Sequence, residues 1–171
     1  MRPWLVWAIG AALLIAAWGV VQVTPDDDVA TQPFSVAAEV GRAVESRGLA
    51  VTVTDVRLGE SAAAAGWRAD GTWLVIDLEA AARGDERAAR LEQAALVLDG
   101  VTYRASERPP SLFSQALTID LPRAGSIAFE LPADAASRTA VLQLGLDVET
   151  RLDSVVELPI DLAALDPQRE V

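Results

Sequence analysis

The sequence predicts an all-β protein, an antiparallel β-sandwich, preceded by a single N-terminal transmembrane helix. Three observations carry this: a long uncharged apolar run near the start, a switch to two-residue alternation beyond Phe34, and proline, glycine or polar clusters that cut the alternation into strand-sized pieces.

The run from Trp4 to Val23, WLVWAIGAALLIAAWGVVQV, has twenty residues, no charge, and Gln22 as its one strongly polar side chain. A helix rises about 1.5 Å per residue, so this length covers roughly 30 Å of bilayer hydrocarbon, and it lacks the polar face that a buried soluble helix would turn to water. Arg2 and the α-amino group lie on one side, and Thr24-Pro25-Asp26-Asp27-Asp28 on the other. The charge bias therefore keeps residues 1–3 in the cytoplasm and places the rest of the chain outside the cell membrane, crossed once. Trp4 and Trp7 near one end and Trp18 near the other suit the two interfacial belts. The rival reading is a cleaved secretory signal, since Ala17-Trp18-Gly19 offers small residues at a cleavage position; it exports the same domain. Without cysteine there is no lipid-anchored alternative. Ala8, Ala12 and Ala16 share a helix face that a second helix can approach closely, although so alanine-rich a run produces that spacing by chance.

Beyond the 4–23 span, residues 24–35 read as an extracytoplasmic linker, with two prolines, three successive aspartates and little apolar content. Asp26, Asp27 and Asp28 point in different directions in an extended chain and lack the alternating spacing of a calcium loop, so they read as a solvated spacer. Residues 36–162 are then one domain of ordinary size, and 163–171 a C-terminal tail.

Within the domain, Leu49, Val51 and Val53 alternate with Ala50, Thr52 and Thr54, and the phase then slips to Val56 and Leu58, as a bulged strand requires. Thr72 to Leu78, TWLVIDL, places Leu74, Ile76 and Leu78 on one face and Trp73, Val75 and Asp77 on the other, the pattern of a central strand. Gly66 and Gly71 bracket the turn before it, and the Ala62–Ala65 tract reads as an irregular connection between Gly59 and Gly66. Asp85 to Leu98 is ambiguous: Leu91, Ala94, Ala95 and Leu98 fit a helical period, while Ala95 to Leu98 before Asp99-Gly100 reads as a strand entering a hairpin. A helical or loop start ending in a strand near Ala94 reconciles the two. Further alternating runs lie at 117–121, 126–131, 140–148 and 155–162, and Pro159, which lacks a backbone donor, puts the last of them at a sheet edge. Eight or so short strands at this spacing argue for the sandwich.

Taken together, Gly41, Leu49–Val53, Thr72–Leu78, Leu98-Asp99-Gly100-Val101-Thr102-Tyr103 and Ile127-Ala128-Phe129-Glu130-Leu131-Pro132 resemble, in that order, a telokin-like, immunoglobulin-like domain family of bacterial membrane- or lipid-anchored surface proteins, a domain of unknown function. The resemblance spans roughly residues 40 to 162. It implies an immunoglobulin-like sandwich and no assigned enzymatic activity, and it carries no catalytic residues. Ala80-Ala81-Ala82 stand where that family often has an asparagine after the central strand. Phe129 shares a face with Ile127 and Leu131, and Pro132 ends the strand, so this motif reads as core and terminator. Tyr103, the one tyrosine, reads as a packing residue.

Composition narrows the chemistry. All fourteen basic residues are arginines, and Lys, Asn, His and Cys are absent, a bias that looks like that of a high-G+C bacterial genome. There is no thiolate or imidazole, hence no zinc-thiolate site and no histidine base, and a serine nucleophile would lack the usual lysine substitute as well. No glycine-rich phosphate cradle follows a strand. Twenty-five acidic residues always supply some pair of carboxylates, so their abundance is no evidence for glycoside hydrolysis. No enzyme, cofactor or metal is therefore expected. The exported part, thirteen arginines against twenty-five acids, carries about −12 and repels nucleic acid and other polyanions, which leaves proteins with basic patches or cations as partners. The expected function is a membrane-tethered extracytoplasmic module that binds a protein partner or supports a membrane complex. The alternatives are a calcium-dependent adhesion module using Asp55, Glu60, Asp70, Asp85 and Glu86, and a structural spacer for a neighbouring transporter. Trp67, in a loop with Arg68 and Asp70, is the candidate exposed anchor for a partner.

Overall fold

The computed structural model describes residues 34–84, 89–146 and 154–171, with Trp4, Trp7, Gly10, Ala12, Leu13, Leu14 and Trp18 of the N-terminal segment. The chain divides into two units, Met1–Gln32 and Pro33–Val171. In the first, the described residues are helical and exposed. Among the described residues no helix is long and apolar enough to cross a membrane. The expected span 4–23 falls for the most part outside the described residues, and so do Asp26, Asp27 and Asp28.

The second unit is built from β1 (Phe34–Ala37), β2 (Ala43–Glu45), β3 (Leu49–Ala64), β4 (Trp67–Ala82), β5 (Gln93–Leu98), β6 (Val101–Arg104), β7 (Arg123–Leu131), β8 (Thr139–Gly145) and β9 (Ser154–Asp161). They form a five-stranded sheet, β1-β9-β8-β5-β6, and a four-stranded sheet, β2-β3-β4-β7. Among these nine strands pairing is antiparallel, as expected, except that β1 runs parallel to β9, Phe34 beside Ser154 and Ala37 beside Glu157. The inward faces of both sheets meet in one core that contains Leu74, Ile76, Leu78, Leu96, Ile127, Phe129, Leu142 and Leu158. These are the residues that the two-residue period places on one side of each strand, which is why alternation found the core.

The phase slip after Val53 is a bulge. Val53 faces Leu78 and Asp55 faces Asp77, so Thr54 is the unmatched residue. Other expectations are corrected. Ala62, Ala63 and Ala64 are strand rather than irregular connection, because their partners Ala69, Arg68 and Trp67 continue the ladder. Ala65 and Gly66, at φ +47° and +87°, form the two-residue turn itself, the left-handed conformation that a tight hairpin demands of both central residues. Gly71 does not close that turn. It lies inside β4 at φ +139°, and with Thr72 it opposes the single residue Glu60, since Gly59 faces Trp73 and Ser61 faces Asp70.

The run 117–121 is not a strand of either sheet. Asp120 turns back at φ +55°, and the segment makes isolated bridges, Ile119 to Ala82 and Thr118 to Leu121. Pro159 does not put β9 at an edge either. β1 covers β9 over Ser154–Glu157, and Pro159 stands beyond that cover, where its missing N–H costs no rung to β1. β5 begins at Gln93, in keeping with a strand near Ala94; residues 85–88 lie outside the described residues.

Candidate functional site

β3 and β4 have sixteen residues each, whereas the strands of the facing sheet have eight or fewer. The outward face of this long hairpin is not the wet face that an ordinary sandwich would show. Trp73 is completely buried there, with Ala62, Val75 and Ala128, and Trp67, Ala69 and Val171 pack against them. The alanines of the 62–64 tract are too short to cover an indole, and the space is taken by Trp67, whose ring meets Trp73 edge to face at 5.3 Å between centroids and 84° between planes.

The cover comes from the end of the sequence. After the short 3-10 turn Leu162–Ala164, residues 166–171 run beside β3. The Gln168 N–H donates to the Leu58 carbonyl at 2.8 Å, the Glu60 N–H to the Gln168 carbonyl at 2.9 Å, the Val171 N–H to the Ser61 carbonyl at 3.0 Å, and the Ala63 N–H to the Val171 carbonyl at 3.0 Å. The buried Ser61 hydroxyl donates to the Arg169 carbonyl at 2.8 Å. Residues expected as a tail thus extend the sheet along the part of β3 that β2 leaves open, since β2 pairs only with Ala50–Thr52.

Next to Val171 the face opens into a cavity of about 140 Å³, bounded by Trp67, Val75 and the Pro109-Pro110 loop, with Arg57 and Ser126 at one end. There the Arg57 guanidinium donates from Nη2 to Asp77 Oδ2 at 2.7 Å, and the Ser126 hydroxyl donates to Asp77 Oδ1 at 2.6 Å. Asp55 Oδ2 stands 3.5 Å from Arg57 Nε. Both side chains of the Arg57–Asp77 pair are about 30% exposed, enough for water to screen them. Arg57→Ala is accordingly expected to cost about 1 kcal/mol in urea melts, and a double-mutant cycle with Asp77→Ala should return a coupling of that size. A coupling above roughly 3 kcal/mol would mark the pair as fully desolvated.

The predicted trio is separated by the strand period. Trp67 is half-buried and joins the outer cluster. Arg68 and Asp70 point the other way and are exposed, with Arg68 Nε 4.0 Å from Asp70 Oδ1. Arg68 also pairs with Glu170 of the covering segment. Trp67 is therefore not a free-standing anchor: it is part of a packed face. Among the described residues no three acidic side chains stand together to hold a metal ion; Asp55, Glu60 and Asp70 do not converge, and Asp85 and Glu86 lie outside the described residues. At the opposite end of the same sheet, Arg83 ties Asp120 to Glu45 on β2. The hydrogen bond to Asp120 and the charge of Glu45 raise its pKa above the ordinary arginine value.

Sequence reasoning missed Trp73, Val171 and the Arg57–Asp77–Ser126 group as parts of one site. The available signal was the unbroken apolar stretch WLVI within TWLVIDL, which is what a strand covered on both faces shows, whereas a half-buried strand alternates with polar residues. No protein-family model and no curated protein sequence matches the chain. Solved structures to which it is similar include an uncharacterized β-sandwich protein from Clostridium difficile 630, at 8% identity and TM-score 0.48, with 74% of this chain and 95% of that one covered. Another is the YjhA protein from Bacillus subtilis, at 18% identity and TM-score 0.47, with 70% of this chain and 98% of that one covered. The unit Pro33–Val171 is a two-sheet β-sandwich with a second, smaller apolar cluster on the outside of its four-stranded sheet.

Proposed function

We propose that the chain is a membrane-tethered extracytoplasmic β-sandwich of the immunoglobulin-like, telokin-like kind that binds a protein partner or supports a membrane complex and performs no catalysis. The strand order supports the immunoglobulin-like part of the reading. β3-β4-β7 follow the order A-B-E, and β9-β8-β5-β6 the order G-F-C-C′. Two hallmarks are missing: the chain has no cysteine for the inter-sheet disulfide, and its buried tryptophan, Trp73, is on the second strand of the A-B-E sheet instead of on C. Support for the tether is the uncharged run Trp4–Val23 with Arg2 before it and three aspartates after it.

The observation that carries the binding reading is the outer sheet face, where two tryptophans and an open apolar cavity replace the polar residues of an ordinary outward face. Crosslinking in intact cells, followed by identification of the attached proteins, tests it; recovery of the chain with no specific neighbour would remove the partner. For the topology, protease added to cells with permeable walls is expected to digest the domain. Protection until lysis would reverse the orientation, and a mature protein beginning near Val20 would replace the anchor with a signal peptide.

A further inference from the structure

The outer edge of β3 from Leu58 to Ala63 has the build of a strand-addition site whose occupant is supplied by the chain itself. The occupying segment 166–171 is held by backbone hydrogen bonds with one β-bridge, Gly59 to Gln168, by the Arg68–Glu170 ion pair, and by one apolar side chain, Val171. Pro167 has no N–H to add to that ladder. Gly59 is shaped to the segment: a Cβ there would stand 2.8 Å from Val171 Cγ2 and 3.0 Å from Val171 Cγ1, so a larger residue would push Val171 out of its place. Yet Val171 fills its place incompletely. The adjoining cavity of about 140 Å³ is well above the roughly 10–15 Å³ of such space that one water needs, and its walls include Ala63, Trp67, Val75, Pro109 and Pro110.

We infer that this edge binds an extended segment of a partner protein in which an acidic residue is followed by a large apolar one, and that residues 166–171 are the intramolecular competitor for it. The backbone of the incoming segment takes over the bonds to Leu58, Glu60, Ser61 and Ala63, its carboxylate meets Arg68 in place of Glu170, and its apolar side chain enters the cavity beyond the reach of valine. Main-chain pairing supplies affinity that is blind to sequence, while Arg68 and the cavity supply the choice of partner. This inference rests on the binding reading above and names the surface through which it acts.

The test uses the full chain in detergent and fluorescein-labelled peptides read by anisotropy: Asp-Pro-Gln-Arg-Glu-Val, the sequence of residues 166–171, and the same peptide ending in Phe. The variant Glu170→Arg/Val171→Ser, which weakens the competitor and leaves β3 untouched, is expected to bind either peptide at least tenfold more tightly than the unaltered chain. The Phe peptide should bind more tightly than the Val peptide, and adding Gly59→Val should abolish binding. Amide exchange of the unaltered chain gives a readout that needs no folded variant. Excess Phe peptide should speed exchange at Gln168 and Val171 while Glu60 and Ala63 stay protected. Equal binding to both chains, binding that survives Gly59→Val, or exchange unchanged at Gln168 and Val171 would overturn the site. These results are independent of the crosslinking experiment, which can find a partner even where the β3 edge plays no part.

Discussion

Truncation of Phe129 to alanine is expected to destabilise the domain by about 3 to 5 kcal/mol, the usual cost of emptying a buried phenylalanine site. Phe129 is completely buried, lies between Ile127 and Leu131 on the inward face of β7, and stands opposite Leu74 of β4. The cost has two parts: the lost transfer free energy of the ring, and a cavity that the surrounding β-strands cannot collapse into, because their backbones are fixed by ladders on both sides of β4. A domain of this size has a net stability of roughly 5 to 15 kcal/mol, so the variant should lose a large part of it. A urea melt measures this. A midpoint shift worth less than about 1 kcal/mol would show that the inward face of β7 packs loosely enough to repair itself.

The second large effect lies on the opposite face of the same sheet. Trp73→Ala is expected to cost about 3 to 5 kcal/mol, as much as a core aromatic, although β4 directs Trp73 away from the space between the sheets. The reason is that Trp73 is completely enclosed, with Trp67 edge-on against it and Val171 in the same cluster. Its Nε1–H has no hydrogen-bond partner among the described residues, so Trp73→Phe, which removes that donor and keeps much of the ring, should cost distinctly less than Trp73→Ala. Were this an ordinary solvated face, Trp73→Ala would stay within about 0.5 kcal/mol. Near-ultraviolet dichroism alongside the melt separates loss of the Trp67–Trp73 pair from loss of the fold.

The sandwich was legible wherever one face of a strand is wet. Leu142 and Leu144 against Val141 and Gln143, and Ile127 and Phe129 against Ser126 and Glu130, announce both strand and inward side by themselves. The bulge at Thr54 was legible too, since an extra residue has to shift the apolar phase. Alternation failed where both faces are covered. Alanines 62–64 and 80–82 carry no phase at all, so the last part of the sixteen-residue β3 looked like a connection, and Trp73 fitted core and a semi-exposed face equally. The covering of the outer face was invisible for another reason. Residues 166–171, DPQREV, have one apolar side chain to offer, and what binds them to β3 is mostly main chain, which every sequence possesses. Because residues 67–70 read as loop and not as the start of β4, Trp67, Arg68 and Asp70 were grouped as one surface, although a strand sends neighbours to opposite sides.

The parallel pairing of β1 with β9 has a mechanical consequence. In a parallel pair the hydrogen bonds are evenly spaced along the strands, and β1 meets β9 through all of its residues from Phe34 to Ala37. A pull on the polypeptide preceding residue 34, directed along the strand, therefore loads every rung of that pair together in shear. An antiparallel hairpin strand pulled from its open end would instead give way one rung at a time. A sandwich pulled in that direction would meet the load with a joint that resists as a unit at β1.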